Sequence, residues 1–235
     1  MNKQSNTYTL LYIIVLVAVV GTALAFTSIS LKERQQNNAA ADKMRQILAS
    51  VNIEANGNSI AQEYEKHIIS SFIVNDNGER IDNDVDAFDI SIAVQSKMEP
   101  GRRLLPVYQC KLDDGEIKYI LPMYGAGLWG PIWGYISVNS DGRTIYGAYF
   151  AHQGETPGLG AEIEKPAFTS RFAGKKLFEN NKFYPVAVVK AGQPAPEGAD
   201  YVDGVSGGTI TSKGVGAMID NCISPYSSFL ESLDR

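Results

Sequence analysis

Residues 8–26, YTLLYIIVLVAVVGTALAF, constrain this chain more than any other stretch, because only Thr9 and Thr22 interrupt an otherwise apolar run. No charged residue occurs from Gln4 to Leu31. A helix rises about 1.5 Å per residue, so this run reaches about 29 Å, close to the hydrocarbon thickness of a bilayer. Tyr8 and Tyr12 lie near one end, where interfacial aromatics belong. A cleaved signal peptide competes with this reading, since Ala23-Leu24-Ala25 resembles an A-x-A cleavage site and Lys3 precedes the apolar region. The run is longer than an ordinary signal core. Residues 1–31 are therefore expected to form a transmembrane anchor, and residues 32–235 one α+β domain. Lys3 precedes the span, whereas Lys32, Arg34, Lys43 and Arg45 follow it. Taken literally, the positive-inside rule keeps the domain in the cytoplasm, but long domains escape that rule. The residues alone leave the side open.

The domain is long enough to bury about 70% of its unfolded surface. With 44% hydrophobic and 20% charged residues the chain is globular in composition, and its net charge of −5 argues against nucleic acid as a partner. Two cysteines and two histidines leave no disulfide framework and little room for a metal centre. Helices are expected over residues 39–51, 59–68, 161–173 and 212–223, with Ser59 and Ser212 as caps and Gln62 completing a capping box. Strand patterns cover residues 70–74, 88–94, 104–110, 117–123, 133–139, 144–152 and 183–190. The NSDG turn at 139–142 joins two of them into a hairpin. Strands in series with helices set apart predict the α+β class.

Three glycine-rich stretches stand out: 125–134 (GAGLWGPIWG), 154–160 (GETPGLG) and 203–211 (DGVSGGTIT). Each alone reads as a surface turn. Together they offer close backbone approach to a flat aromatic ligand, with Leu128, Trp129 and Leu159 as apolar faces. The third places Ser206, Thr209, Thr211 and Ser212 just before a helix start, where free N–H groups and the positive end of the helix dipole favour a phosphate. No phosphate-binding P-loop, dinucleotide fingerprint or serine-nucleophile elbow occurs.

Asp203-Gly204-Val205-Ser206-Gly207-Gly208-Thr209 resembles the flavinylation motif D-x-x-[ST]-G-A-T of bacterial FMN-binding domains, with Gly208 where alanine is usual. With Gly127-Leu128-Trp129, the E-T-P-G-L-G loop ending at Gly160, and Lys190 after a strand, the chain is similar to the C-subunit family of Na+-translocating NADH:quinone reductases. The resemblance implies FMN as cofactor, joined by a phosphoester to Thr209 through a dedicated flavin transferase. It also implies a single-pass protein of the bacterial inner membrane with its domain in the periplasm, partnered by the other reductase subunits and inactive alone. Electrons would pass through the FMN towards ubiquinone. Ser206, Gly207, Gly208 and Thr211 would surround the attachment. Leu128, Trp129, Leu159 and Gly160 would pack near the ring, Glu155 and Thr156 would make polar contacts, and Lys190 would balance charge on reduced flavin. No residue is expected to act as a catalytic acid, base or nucleophile, and none as a metal ligand. Two alternatives remain open, the homologous G subunit of the RNF electron-transport complex and a membrane-anchored flavin-binding sensory or interaction module. At the attachment site, Thr211, Ser206 and Ser212 compete with Thr209.

Overall fold

The computed structural model describes residues 6–82 and 84–234. They form two compact units, one ending at Lys43 and the other beginning at Met44. Helix α1 (Asn6–Ala49) is unbroken over 44 residues and contributes to both. It is the one helix among the described residues long and apolar enough to cross a membrane. Within it Thr22 Oγ1 donates to the Ala18 carbonyl at 2.7 Å and Thr27 Oγ1 to the Ala23 carbonyl at 2.9 Å, so these hydroxyls are satisfied inside the helix.

The second unit takes up the end of α1, where Ile47 and Leu48 are fully buried. Helix α2 (Ile60–His67) follows, then β1 (Ile68–Val74), β2 (Arg80–Ile81) and the short α3 (Ile92–Gln95). Strands β3 (Leu105–Lys111), β4 (Ile117–Ala126), β5 (Pro131–Asn139) and β6 (Ile145–His152) complete a six-stranded antiparallel sheet in the order β2-β1-β3-β4-β5-β6. Alternation along these strands serves two cores. Val107, Leu121, Met123, Ile132 and Ile136 join the larger cluster, while Tyr108, Cys110, Ile120 and Tyr135 join one with Ile47 and Val51. Both faces are thus covered, and period-two patterning sorts the side chains between them.

Beyond the sheet come α4 (Pro166–Thr169), the paired strands β7 (Phe178–Glu179) and β8 (Lys182–Phe183), the parallel pair β9 (Ala187–Val189) and β10 (Tyr201–Asp203), α5 (Thr209–Ile223) and α6 (Ser227–Ser232). Helix α5 lies against β4 at backbone distance. A Cβ on Gly214 would collide with the Ala126 carbonyl oxygen, and one on Gly125 would fall 2.7 Å from Met218 Cβ. The α+β class expected from the sequence is the class observed.

Several local expectations are corrected. The apolar run 88–94 is not a strand. The Asp86 side chain accepts from Phe88 N at 2.8 Å and starts a 3₁₀ turn, after which α3 begins. Ser59 makes no side-chain cap; its hydroxyl donates to the Asn56 carbonyl and closes the turn before α2. Residues 161–173 are three short helical pieces, because Lys165 takes the extended conformation that Pro166 imposes on its predecessor. Residues 183–190 split into β8 and β9 around Pro185, which has no N–H for a ladder. Ser212 does not cap α5. The helix starts three residues earlier, behind Gly208, and Ser212 Oγ accepts from Val205 N at 2.9 Å.

Candidate flavin site

The three glycine-rich stretches come together. The first is the tight turn between β4 and β5, closed by Gly127 N donating to the Gly130 carbonyl at 2.8 Å. It carries Leu128 and Trp129, and Trp129 is 70% exposed. The second follows β6 and carries Glu155, Thr156, Leu159 and Gly160. The third runs from β10 into α5.

Glu155 joins all three. It is 4% exposed, with Oε1 accepting from Trp129 N at 2.8 Å and Oε2 from Thr211 Oγ1 at 2.5 Å. The Leu128 N–H also faces this carboxylate and favours its ionised form. Burial opposes ionisation of Glu155, but the hydrogen bonds from Thr211 and Trp129, with the Leu128 N–H and His152 close by, hold its carboxyl below the usual value near 4.5. Its own N–H is taken by His152 Nδ1 at 3.2 Å.

Leu159 reaches across to the third stretch. A Cβ on Gly207 would meet Leu159 Cδ2 at 2.6 Å, and one on Gly208 would meet the Leu159 carbonyl oxygen at 3.0 Å. Gly207 also has φ +76°, a left-handed conformation that glycine adopts without strain. The end of β10 is fixed from two sides, by Gly204 N donating to the Val189 carbonyl at 2.7 Å and by Arg171 Nη1 donating to the Asp203 carbonyl at 2.8 Å. The parallel register of Asp203 on Val189 puts Lys190, exposed just after β9, beside the start of the motif.

The four hydroxyls of that motif are not equivalent. Thr209 is the first residue of the 15-residue α5 and is exposed; Ser206 is exposed in the loop before it. Thr211 is 1% exposed and engaged by Glu155, while Ser212 is buried and engaged by Val205 N. An extended segment over 209–211 would point both threonines the same way, but the observed helix separates them. The first N–H groups of a helix have no intrahelical acceptor and lie at the positive end of its dipole. A phosphate on Thr209 fits there. Leu128, Trp129, Leu159 and Ile210 give exposed apolar surface for an aromatic ring.

The structure thus brings together Leu128, Trp129, Glu155, Leu159, Gly160, Gly207, Gly208 and Thr211. Thr156 accepts from Leu159 N and Ala161 N through its carbonyl and leaves its side chain exposed. Sequence reasoning missed three contributors. Ile210 is readable as an apolar residue beside the acceptor, whereas His152 and Arg171 act through contacts that no local pattern announces.

A family model for an FMN-binding domain matches residues 127–224, a span that starts in the Trp129 turn and ends after α5. The C subunit of the Na(+)-translocating NADH-quinone reductase of Vibrio anguillarum is 36% identical over 229 residues, covering 91% of this chain and 89% of that protein. The chain belongs to the C-subunit (NqrC) family of Na+-translocating NADH-quinone reductases. Its counterpart from Vibrio parahaemolyticus is 34% identical, with 93% and 91% covered. Among solved structures, the C subunit from Parabacteroides distasonis superimposes with a TM-score of 0.78 at 49% identity, covering 85% of this chain and 96% of that one. The Shewanella oneidensis NqrC structure gives 0.68 at 25% identity, with 83% and 98% covered. As an NqrC family member, the chain carries an FMN-binding domain and is one component of a multi-subunit oxidoreductase.

Proposed function

We propose that Thr209 carries FMN through a phosphoester and that the chain relays electrons between neighbouring redox subunits of a Na+-translocating NADH:quinone reductase. One observation carries this reading: Thr209 alone among the motif threonines is exposed, and it stands at the first position of a long helix. In the attachment step the Thr209 Oγ1 would lose its proton and bond to the phosphorus of an FMN unit activated as a phosphoanhydride on the flavin transferase, as the anhydride P–O bond breaks and the other phosphate half departs. The amides of the first turn of α5 receive the phosphate charge. Trp129, Leu128, Leu159 and Ile210 would hold the ring through their exposed apolar surface, and Lys190 would offset negative charge on the flavin. Bound FMN supplies the electron-accepting and electron-donating chemistry. A ring resting on exposed side chains suits exchange with a neighbouring redox protein better than capture of a small substrate.

The apolar part of α1 serves as a retained single-pass anchor in the inner membrane, with residues 32–235 on the periplasmic side. Gly21 and Ala25, four residues apart, offer a small-residue face for packing against partner helices. Residues 4–31 contain no charged side chain, so ion movement belongs to other subunits.

The test is in-gel flavin fluorescence after co-expression with the flavin transferase. Wild type and Thr211→Ala should show a fluorescent band, and Thr209→Ala should show none. A band persisting in Thr209→Ala overturns the assignment. An N-terminus at Phe26 in protein extracted from membranes overturns the anchor.

A further inference from the structure

We infer that Glu155 is a positioning residue that sets the spacing between the Trp129 turn and the first turn of α5, and so between the ring-facing side chains and the attachment hydroxyl. The inference rests on the reading that Thr209 carries FMN, and gives Glu155 a role other than direct contact with it.

The geometry is built around this carboxylate. Its partners Trp129 and Thr211 lie 26 residues before it and 56 residues after it, on separate elements. A Cβ on Gly127 would collide with Oε1, and one on Gly160 would collide with Oε2 and fall 2.5 Å from Thr211 Oγ1. Glycine on both sides is therefore a condition for Glu155 to reach both partners. The groups bonded to it are donors, the Trp129 N–H and the Thr211 hydroxyl, with the Leu128 N–H facing it as well, which matches a carboxylate that only accepts. With both oxygens engaged inward, the side chain ties Leu128 and Trp129 to α5 and has little left for a ligand. Thr209 then projects from a helix whose first turn is held from beneath.

A carboxylate that merely stabilised the fold would change the melting temperature and nothing at the flavin, so the test reads local quantities. In the full chain in detergent, made without the flavin transferase, hydrogen exchange at the Trp129 amide should quicken at least tenfold in Glu155→Ala. It should quicken less in Thr211→Val, which removes one of the ties. Glu155→Gln should restore most of the protection, because its carbonyl still accepts from the turn and its amide donates to Thr211 Oγ1. After flavinylation, the absorption spectrum and midpoint potential should shift in Glu155→Ala and Thr211→Val. Wild-type exchange in the unloaded variants, or a wild-type spectrum and potential in the loaded ones, overturns the proposal. Should Glu155→Ala fail to fold, Thr211→Val decides alone by the same two readouts. If wild type carries no FMN on Thr209, the functional reading falls while the exchange measurement still judges the tie.

Discussion

Glu155 shows how one side chain couples a sequence to a pH response. Its carboxyl titrates below the usual value near 4.5 because Thr211, Trp129 and Leu128 favour the ionised form over the opposing cost of burial. A group whose pKa is lower folded than unfolded contributes stability fully above the unfolded value, and loses it as pH falls through the folded value. The flavin spectrum and the protection of the Trp129 amide should therefore stay constant from neutral pH down to about 5 and fail together only in stronger acid. Loss of either between about pH 7 and 6 would assign the transition to another group. Gly208 offers a second residue-scale test, since the motif it resembles has alanine there. A Cβ at that position would meet the Leu159 carbonyl oxygen at 3.0 Å and Val205 Cβ at 3.2 Å, tight but short of a clash. Gly208→Ala should keep the fluorescent band and displace the Leu159 loop by a few tenths of an ångström, visible as a small change in flavin absorbance. The glycines are legible in the sequence as loops. Their purpose is not, because the Glu155–Thr211 contact spans 56 residues and leaves no local pattern.

At the scale of elements, the packing of α5 on β4 fixes the position of Thr209, and two glycines on that helix should behave oppositely. Gly214→Ala would drive a methyl into the Ala126 carbonyl, a backbone atom that cannot step aside, and should destabilise by about 1–3 kcal/mol. Gly216→Ala meets only Val188 at 3.5 Å, an ordinary contact, and should stabilise by up to about 1 kcal/mol through helix propensity. Thermal melts of the two variants check the contrast. Five of the six strands of the sheet are readable as apolar runs, because both faces of the sheet are covered, whereas the two-residue β2 is too short to leave a pattern. Residues 88–94 defeat a pattern reading because a short apolar run fits a strand or a helix equally, and the Asp86 side chain decides for a turn. The early start of α5 is hidden for a similar reason: Ser212 carries a capping residue's chemistry, but its hydroxyl is engaged by Val205 N inside the helix.

At the scale of the whole molecule, the second compact unit begins at Met44 and not where the apolar run ends. Ile47 and Leu48 fill its core, and Gln46 Oε1 accepts from Trp133 Nε1 at 3.0 Å. A chain starting at Met44 should fold cooperatively in water and accept flavin when exported with the transferase. A chain starting at Ser50 should lose about 3–6 kcal/mol, the burial of two aliphatic side chains at about 1.5–3 kcal/mol each. Denaturant titration of the two truncations measures the difference, and equal stability would remove the end of α1 from the domain's core. The apolar length of residues 8–26 makes a helix long enough to cross a membrane legible in the sequence. The continuation of the helix past the apolar run is legible as well, since Met44, Ile47, Leu48 and Val51 fall at helical spacing, whereas the tie of Gln46 to Trp133, 87 residues on, leaves no local pattern.

The placement of Thr209 at the head of a helix has a kinetic consequence. A β-branched residue in a helix has few χ1 options, and its backbone is fixed by the turns that follow. An attachment hydroxyl on a floppy loop would be a leash, letting its load wander. Thr209 is a post. On the proposed attachment, one end of the load would be anchored at a point that does not drift, and the exposed side chains of the Trp129 turn would restrain the other. Since electron hopping falls off exponentially with separation, such a restraint would narrow the distribution of separations and, in the proposed relay, the distribution of hopping rates.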